Sequence, residues 1–233
     1  MKAIISGASK GVGRACAITL GKAGYDLCLI SRRIENLESV KQEVLRHKKV
    51  EIQLLAMDMS SREAIDKTDW QKVMNDESDV LLINNLGTYL KDIASELTVE
   101  QLEKFMEFNL YSAIRISGYV LPKMKAEKKG QIVNILSVNA LEADKFATAY
   151  SISKQAFKAW NDALREEIRT SDIKVTAFYP GAINTASWDG MDVENEAMIQ
   201  PEDIAEMIVS LGKLSKTALI EEIRISPMNF KPS

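Results

Sequence analysis

The sequence has little of what several protein classes require. It holds two cysteines, Cys16 and Cys28, one histidine, His47, and no Cys-x-x-Cys pair. These counts argue against a disulfide framework and against a metal site built from histidine or cysteine. No apolar run approaches the length of a membrane span, and the apolar stretch at the amino terminus is too short for a signal peptide. We therefore expect a cytoplasmic protein with reduced thiols, no metal and no membrane association.

Neither sign of charge is in excess. Lysine and arginine total 30 against 33 aspartates and glutamates, a net charge of -3, so there is no broad positive field for nucleic acid. The basic cluster at 46–49 lies at a predicted helix end, where the helix dipole favours cations, and we interpret it as a solvated cap. With 46% hydrophobic and 27% charged residues in 233, the chain suits one folded domain, 1–233, better than two domains or disorder.

Short β-rich runs alternate with longer helical patterns along the chain. Runs such as 79–84 and 131–135 are apolar on successive residues, which is typical of strands buried on both faces of a parallel sheet. This alternation predicts an α/β fold, a single Rossmann-type, doubly wound parallel sheet of about seven strands with helices on both faces. The predicted strands are 2–6, 26–31, 50–57, 79–84, 130–136, 173–179 and 218–225, and the predicted helices are 11–23, 34–47, 61–76, 99–126, 148–170 and 201–212.

A glycine-rich turn joins the first predicted strand to the first predicted helix. Gly7, Gly11 and Gly13 stand where the backbone must approach a phosphate without interference from Cβ atoms, and helix amides then face a pyrophosphate. The spacing is G-x-x-x-G-x-G and not the commoner G-x-G-x-x-G. A turn that binds no ligand remains the alternative. As a cofactor turn, it predicts contacts from Gly7, Ser9, Lys10, Gly11, Val12 and Gly13.

The end of the second predicted strand indicates which dinucleotide is bound. NAD-binding units place an acidic residue about 20 residues after the glycines, where it binds the ribose hydroxyls. Here that place is held by Ser31, Arg32 and Arg33. A hydroxyl can donate a hydrogen bond to a 2′-phosphate and an arginine can pair with it, with Lys10 as a second cation. The pattern favours NADP(H) over NAD(H), although arginines in loops are commonly only solvated.

Tyr150 and Lys154 are four residues apart at the start of a predicted helix, so both lie on one face. A lysine cation beside a phenol is expected to lower the pKa of the phenol toward neutrality and so make it a general acid or base. Ser137 follows a predicted strand at the sheet edge where ligands collect, and its hydroxyl could hold a substrate oxygen. A tyrosine and lysine at this spacing are often an ordinary surface pair, but their place downstream of the glycine turn favours catalysis.

Together these motifs resemble the short-chain dehydrogenase/reductase family, through 7–13, Asn84-Asn85-Leu86-Gly87, Ser137, Tyr150 to Lys154, and 180–185, in the family's order and spacing. The resemblance implies a seven-stranded parallel sheet and an active site of Ser137, Tyr150, Lys154 and Asn109. Asn109 would bend its helix and hold a water that links Lys154 to solvent. The implied cofactor contacts are Asp58 to adenine, Asn85 and Gly87 along the cleft, Tyr150 and Lys154 at the nicotinamide ribose, and Pro180, Gly181, Ile183 and Thr185 near the carboxamide.

Two positions depart from the family pattern. Leu86 replaces an alanine next to the cofactor cleft, where it would narrow or tilt the cleft, and Leu136 replaces a serine before Ser137. The segment 186–200 resembles the family's mobile substrate cover. Within and beside it, Trp188, Met191, Met198 and Phe146 either form an apolar wall for the substrate or are ordinary packing residues, and the sequence does not separate these readings.

The sequence thus predicts an oxidoreductase that moves a hydride between NADP(H) and a small-molecule carbonyl or alcohol. A 3-oxoacyl thioester, a pterin side-chain ketone, a sugar and a xenobiotic carbonyl all remain possible substrates. The alternative is a regulatory protein that binds NADP(H) without catalysis, which would have no need for the four predicted catalytic residues together. Apolar surface on the helices at 99–126 and 148–170, illustrated by Ala156 and Trp160, predicts a homodimer or homotetramer.

Overall fold

The structure is a computed structural model, and it describes residues 1–74, 79–188 and 195–228. Its strands are β1 (Lys2–Ser6), β2 (Asp26–Ser31), β3 (Ile52–Ala56), β4 (Val80–Asn84), β5 (Gly130–Ile135), β6 (Ile173–Pro180) and β7 (Glu222–Ile225). Its α-helices are α1 (Gly11–Ala23), α2 (Ile34–His47), α3 (Arg62–Asp66), α4 (Trp70–Met74), α5 (Val99–Met106), α6 (Ser112–Glu127), α7 (Thr148–Glu167) and α8 (Pro201–Gly212).

The strands form one seven-stranded sheet in the order β3-β2-β1-β4-β5-β6-β7. Every neighbouring pair is parallel, which confirms the predicted sheet. From β1 the chain adds β2 and β3 on one side, and then crosses over so that β4 pairs with the other side of β1. In open α/β sheets, the carboxyl ends of the strands at such a reversal form a crevice that binds ligands.

Two apolar cores lie on opposite faces of the sheet. In β1, Ala3 and Ile5 pack with α1, α2 and α8, whereas Ile4 packs with α3, α4 and α6. Because successive side chains of a strand point to opposite faces, a strand covered by helices on both sides must be apolar throughout. The continuous apolar runs in the sequence therefore reflect this double covering.

Most predicted elements agree with the observed ones to within about three residues at each end, and three differ more. In its described part, up to Met74, the predicted helix at 61–76 consists of two short helices, and Thr68 between them donates its hydroxyl to the Ala64 carbonyl at 2.9 Å. The predicted helix at 99–126 contains a π-helical segment, Glu107–Tyr111, between α5 and α6. The last strand begins at Glu222 and not at 218. Each boundary depends on local hydrogen bonds that hydrophobic periodicity does not report.

Both cysteines are buried and free. Burial raises the pKa of the Cys16 thiol and that of the Cys28 thiol to about 12, so both stay protonated and unreactive at neutral pH. Among the described helices, none combines the length and the apolar character that crossing a bilayer requires.

Candidate active site

The glycine turn after β1 is tight and is closed by backbone contacts. Gly7 and Gly11 have φ angles of 67° and 53°, in the left-handed region that favours glycine. A Cβ on Gly13 would lie 2.3 Å from the Gly7 carbonyl oxygen, so α1 can begin against the turn only with glycine there. Lys10, at the N-cap of α1, makes no side-chain capping bond. The first amides of α1 are therefore available to an anion, as a dinucleotide pyrophosphate requires.

Two side chains join this turn to the end of β4. Asn85 Nδ2 donates to the Ser6 carbonyl at 3.1 Å and to the Gly7 carbonyl at 3.4 Å. Ser6 Oγ in turn accepts from the amides of Asn85 and Leu86 at 2.9 and 3.1 Å. From the far side of the crevice Thr185 reaches over the turn, since a Cβ on Gly11 would lie 3.1 Å from Thr185 Cγ2. The predicted cofactor residues Gly7, Gly11, Asn85 and Thr185 thus lie around one cleft.

The residues predicted to bind the adenosine end lie beside the turn, at the ends of β2 and β3. The Ala8 amide donates to the Ile30 carbonyl at 3.1 Å, which fixes the turn against β2. Arg32 and Arg33 follow at once and are exposed, and neither forms an ion pair with another residue in the part of the chain that is described. Asp58 is also exposed, and its Oδ1 accepts from Ser60 N and Oγ at 2.9 and 2.7 Å. Ser31 is buried and Ser9 half-buried, whereas Lys10 is exposed.

The three predicted catalytic side chains converge beyond β5. The Ser137 hydroxyl lies close enough to the Tyr150 hydroxyl to lower the pKa of that phenol, and the Asn139 amide donates to Ser137 Oγ at 3.2 Å. Lys154 is only 3% exposed. Its Nζ donates to the Ile135 carbonyl at 2.9 Å and lies 5.7 Å from the centre of the Tyr150 ring. The helix α7 therefore presents Tyr150 and Lys154 to one spot beside Ser137, as their spacing predicts.

The electrostatics of this group differ from the sequence-based expectation. Burial raises the pKa of Tyr150 to about 12, and the neighbouring Ser137 hydroxyl offsets this rise only in part. Burial also lowers the pKa of the Lys154 ammonium to about 7. The expected lowering of the phenol pKa by Lys154 is absent because the ammonium is directed at the Ile135 carbonyl and because desolvation disfavours charge on both groups. At neutral pH the phenol is protonated.

Asn109 lies in the π-helical segment and is fully buried. Its Oδ1 accepts from the Thr88 amide at 2.8 Å, and its Nδ2 donates to the Thr88 carbonyl at 3.2 Å and to Ser153 Oγ at 2.8 Å. A Cβ on Gly87 would lie 3.5 Å from Asn109 Oδ1 and 3.6 Å from Lys154 Nζ. Asn109, which is expected to bend its helix, thus lies in a π-helical segment near Lys154.

The segment after β6 completes the far wall of the crevice. The Gly181 amide donates to the Ile225 carbonyl at 2.8 Å, and a Cβ on Gly181 would lie 2.8 Å from Pro227 Cδ. Pro180 is buried at the end of β6, and Ile183 forms a bridge with Ile199.

The side chains expected to form an apolar wall do not share one environment. Met198 is buried in packing, Trp188 is half-buried, and Phe146 is 54% exposed. Met191 lies outside the described residues, as does the rest of the predicted cover at 189–194. Leu86 is half-buried and packs against the apolar core that includes residues of α6.

Sequence reasoning missed several residues of the loop that follows β4, residues 85–92, here called the β4 loop. The Tyr89 ring meets the Tyr150 ring edge-on, with centroids 5.3 Å apart and planes at 78°. Thr88 holds Asn109, and Asp92 accepts from the Ala149 amide in α7. The position of this loop at the carboxyl edge of β4 was the available signal, because side chains on such loops surround the crevice.

Comparisons with known proteins agree with this geometry. A family model described as short chain dehydrogenase matches residues 1–196. An uncharacterized oxidoreductase of Staphylococcus aureus is 24% identical over 226 residues, 97% of this chain and 96% of that protein. An alcohol dehydrogenase of Thermococcus sibiricus, solved with 5-hydroxy-NADP, superposes with a TM-score of 0.88 at 26% identity, covering 100% of this chain and 98% of that one.

A β-ketoacyl-ACP reductase of Bacteroides thetaiotaomicron superposes with a TM-score of 0.83 at 31% identity, covering 99% of this chain and 96% of that one. The family match spans most of the chain, and the motifs it shares lie at the crevice described above. The chain belongs to the short-chain dehydrogenase family of oxidoreductases.

Proposed function

We propose that this protein is an NADP(H)-dependent oxidoreductase that interconverts a carbonyl and an alcohol, with Tyr150 as the general acid or base. The observation that carries the proposal is the convergence of Ser137, Tyr150 and buried Lys154 at the sheet edge that also bears the glycine turn. A substrate oxygen placed between the two hydroxyls would meet both a hydrogen-bond donor and a proton donor. A regulator that only binds the cofactor has no need for this group.

The cleft suits a phosphorylated dinucleotide. The uncapped start of α1 and its closed glycine turn provide amides for a pyrophosphate. Arg32 and Arg33 lie within reach of the same end of the cleft, at the position where a carboxylate would repel a 2′-phosphate. The Thermococcus sibiricus relative was solved with 5-hydroxy-NADP, which supports the same choice.

NADP(H), when bound, supplies or accepts the hydride. Residues of the chain transfer the proton and position the substrate. In the reducing direction the Tyr150 O–H donates its proton to the substrate oxygen as negative charge develops there. The Ser137 hydroxyl holds that oxygen in place by a hydrogen bond. Lys154 lies on the same helix face, with its Nζ 5.7 Å from the centre of the Tyr150 ring, where it would hold the nicotinamide ribose of the bound cofactor. In the oxidising direction Tyr150 takes the proton back.

The substrate is proposed to be a small carbonyl or alcohol, with a 3-oxoacyl thioester as one candidate. The relative from Bacteroides thetaiotaomicron is a β-ketoacyl-ACP reductase, which supports that candidate. We further propose a single domain over 1–233, a cytoplasmic location and a homo-oligomer. Trp160 and Ala156, expected to be surplus apolar surface, instead pack in part against the core beneath α7. Tyr111, Tyr119 and Ile152 are more than a third exposed on the same helices and join them as interface candidates.

The test is a panel of carbonyl substrates with turnover followed by NADPH absorbance, together with calorimetric titration of NADPH and NADH. We expect NADPH to bind at least about tenfold more tightly, a difference of ~1.4 kcal/mol. Changing both Arg32 and Arg33 to alanine should remove the preference, whereas Arg62→Ala on α3 should leave it. Equal affinities in the unaltered protein would contradict the choice of cofactor. An absence of hydride transfer to every carbonyl class would favour the regulatory alternative.

A further inference from the structure

The helix that carries Tyr150 and Lys154 has no cap of its own. The N-cap position of α7 is Ala147, whose side chain cannot accept a hydrogen bond from a helix amide. The first amides of any α-helix lack acceptors within the helix. Tyr150 belongs to this first turn, so its position depends on how the turn is held. Acceptors for these amides come from outside the helix, either from another segment of the chain or from water.

Asp92 supplies one such acceptor from the β4 loop, 57 positions earlier in the chain. Its Oδ2 and Oδ1 accept from the Ala149 amide at 3.1 and 3.3 Å. The backbone amide of Asp92 also donates to the Phe146 carbonyl at 3.0 Å, just before the helix begins. Asp92 therefore holds the start of α7 by hydrogen bonds to residues on both sides of the N-cap. A carboxylate at this end is favoured further by the helix dipole.

The same loop contacts the rest of the site. Tyr89 meets the Tyr150 ring edge-on, and the Thr88 backbone is paired in both directions with Asn109. Ser137, by contrast, is fixed at the end of β5 by the Asn139 amide. Asn139 also donates to Ser151 Oγ on α7 at 3.4 Å, but Ser137 itself lies outside the helix, so a shift of the first turn of α7 changes the separation of Tyr150 and Ser137. The distance between the Ser137 and Tyr150 hydroxyls thus depends in part on the hydrogen bonds from Asp92 to the start of α7.

We propose that Asp92 is a positioning residue, which holds the first turn of α7 so that the Tyr150 hydroxyl meets the substrate oxygen that Ser137 binds. The inference rests on the proposed role of Tyr150 and deepens it. Asp92 touches neither substrate nor reacting atoms in this account, so its loss acts through Tyr150. Misplacement of a reacting group by about 1 Å can lower turnover by about a hundredfold, and the loss of one cap allows a smaller displacement than that.

The experiment compares three variants of Asp92 with a control variant that removes the N-terminal cap of another helix. Asp92→Ala removes the acceptor, Asp92→Asn keeps an oxygen in the same place, and Asp92→Glu keeps the charge but moves the carboxylate by one methylene. Thr98→Ala is the control, because Thr98 caps α5 through the Gln101 amide at 3.3 Å and holds no site residue. All four are compared for kcat, for KM of the carbonyl substrate, for Kd of NADPH and for thermal stability.

We expect Asp92→Ala to lower kcat at least about tenfold while the Kd for NADPH stays within about twofold. Asp92→Asn should recover most of the activity and should exceed Asp92→Glu. Thr98→Ala should lose comparable stability but keep kcat within about twofold. The proposal is overturned if Asp92→Ala keeps the kcat of the unaltered protein, or if Asp92→Glu is the more active of the two conservative variants. That second comparison decides the matter if Asp92→Ala does not fold.

A second readout does not depend on turnover. With 13C at tyrosine Cζ, the resonance of Tyr150, assigned by its loss in Tyr150→Phe, reports the surroundings of its hydroxyl at pH 7. We expect this resonance to shift in Asp92→Ala and to stay in place in Asp92→Asn and Thr98→Ala. An unshifted resonance in Asp92→Ala would overturn the positioning role. If the resonance shifts as expected but the unaltered protein reduces no carbonyl substrate, the proposed function is wrong. The positioning of Tyr150 by Asp92 is then still supported.

Discussion

Replacing Lys154 by methionine should change how stability depends on pH. Lys154 is 3% exposed, and its burial lowers the pKa of the ammonium from 10.5 to about 7. Below pH 7 both the folded and the unfolded chains carry the proton, and the burial of the charge costs its full amount. Between pH 7 and 10.5 the folded chain releases the proton while the unfolded chain keeps it. Stability conferred by this site therefore rises with pH over that window.

The size of the effect follows from the two pKa values. One proton bound only by the unfolded state changes the free energy of unfolding by up to ~1.4 kcal/mol per pH unit, so from pH 7 to pH 9 the gain is about 2 kcal/mol. The Lys154→Met variant lacks this pH-dependent rise in the free energy of unfolding. The free energy of unfolding of the variant, minus that of the unaltered protein, should thus fall by about 2 kcal/mol between pH 7 and pH 9. Tyr150 does not interfere, because its pKa is raised, to about 12.

Urea unfolding of the cofactor-free protein at pH 7, 8 and 9, followed by tryptophan fluorescence and circular dichroism, measures this difference. Lys158→Met is the matched control, since Lys158 lies one turn later on α7 and bonds to Asp162 at the surface at 2.6 Å. It corrects for the removal of a lysine from this helix. A difference between Lys154→Met and the unaltered protein that is the same at pH 7 and pH 9 would refute the argument from burial.

Two further predictions concern the glycine turn and the assembly. Gly13→Ala places a Cβ 2.3 Å from the Gly7 carbonyl oxygen, so it should weaken NADPH binding at least about tenfold and cost about 1–3 kcal/mol of stability. The control Gly118→Ala, with nothing within 4 Å of its Cβ, should instead add about 0.5–1 kcal/mol in urea unfolding, and the reverse order would contradict the packing argument. Light scattering at micromolar concentration should show a dimer or tetramer, whereas a 26.0 kDa particle would contradict the proposed homo-oligomer.

The sheet could be predicted because its signals are local. Ala3, Ile4 and Ile5 are apolar in succession since the two faces of β1 pack against different helices. The spacing of Tyr150 and Lys154 likewise places them on one face of any helix. These features depend on neighbours in the sequence, and the structure brings them together as predicted.

Other parts of the site depend on contacts between distant segments. The π-helical segment is held by Asn109 through Thr88, 21 residues earlier. The cap on α7 comes from Asp92, and the residues around Ala147 contain no pattern that predicts this contact. The raised pKa of Tyr150 depends on the burial of its hydroxyl and on the direction of the Lys154 ammonium. Residue spacing does not specify burial or side-chain direction, so the sign of that shift could not be derived from the sequence.

The central claim is that the Tyr150 hydroxyl moves the proton, and Tyr150→Phe tests it most directly because the change removes that hydroxyl alone. The measurement is kcat with a carbonyl substrate alongside the Kd for NADPH. General acid catalysis contributes about a hundred- to ten-thousandfold, so kcat should fall at least about a hundredfold while NADPH still binds. A folded Tyr150→Phe protein that binds NADPH and reduces the substrate at the unaltered rate would contradict the account.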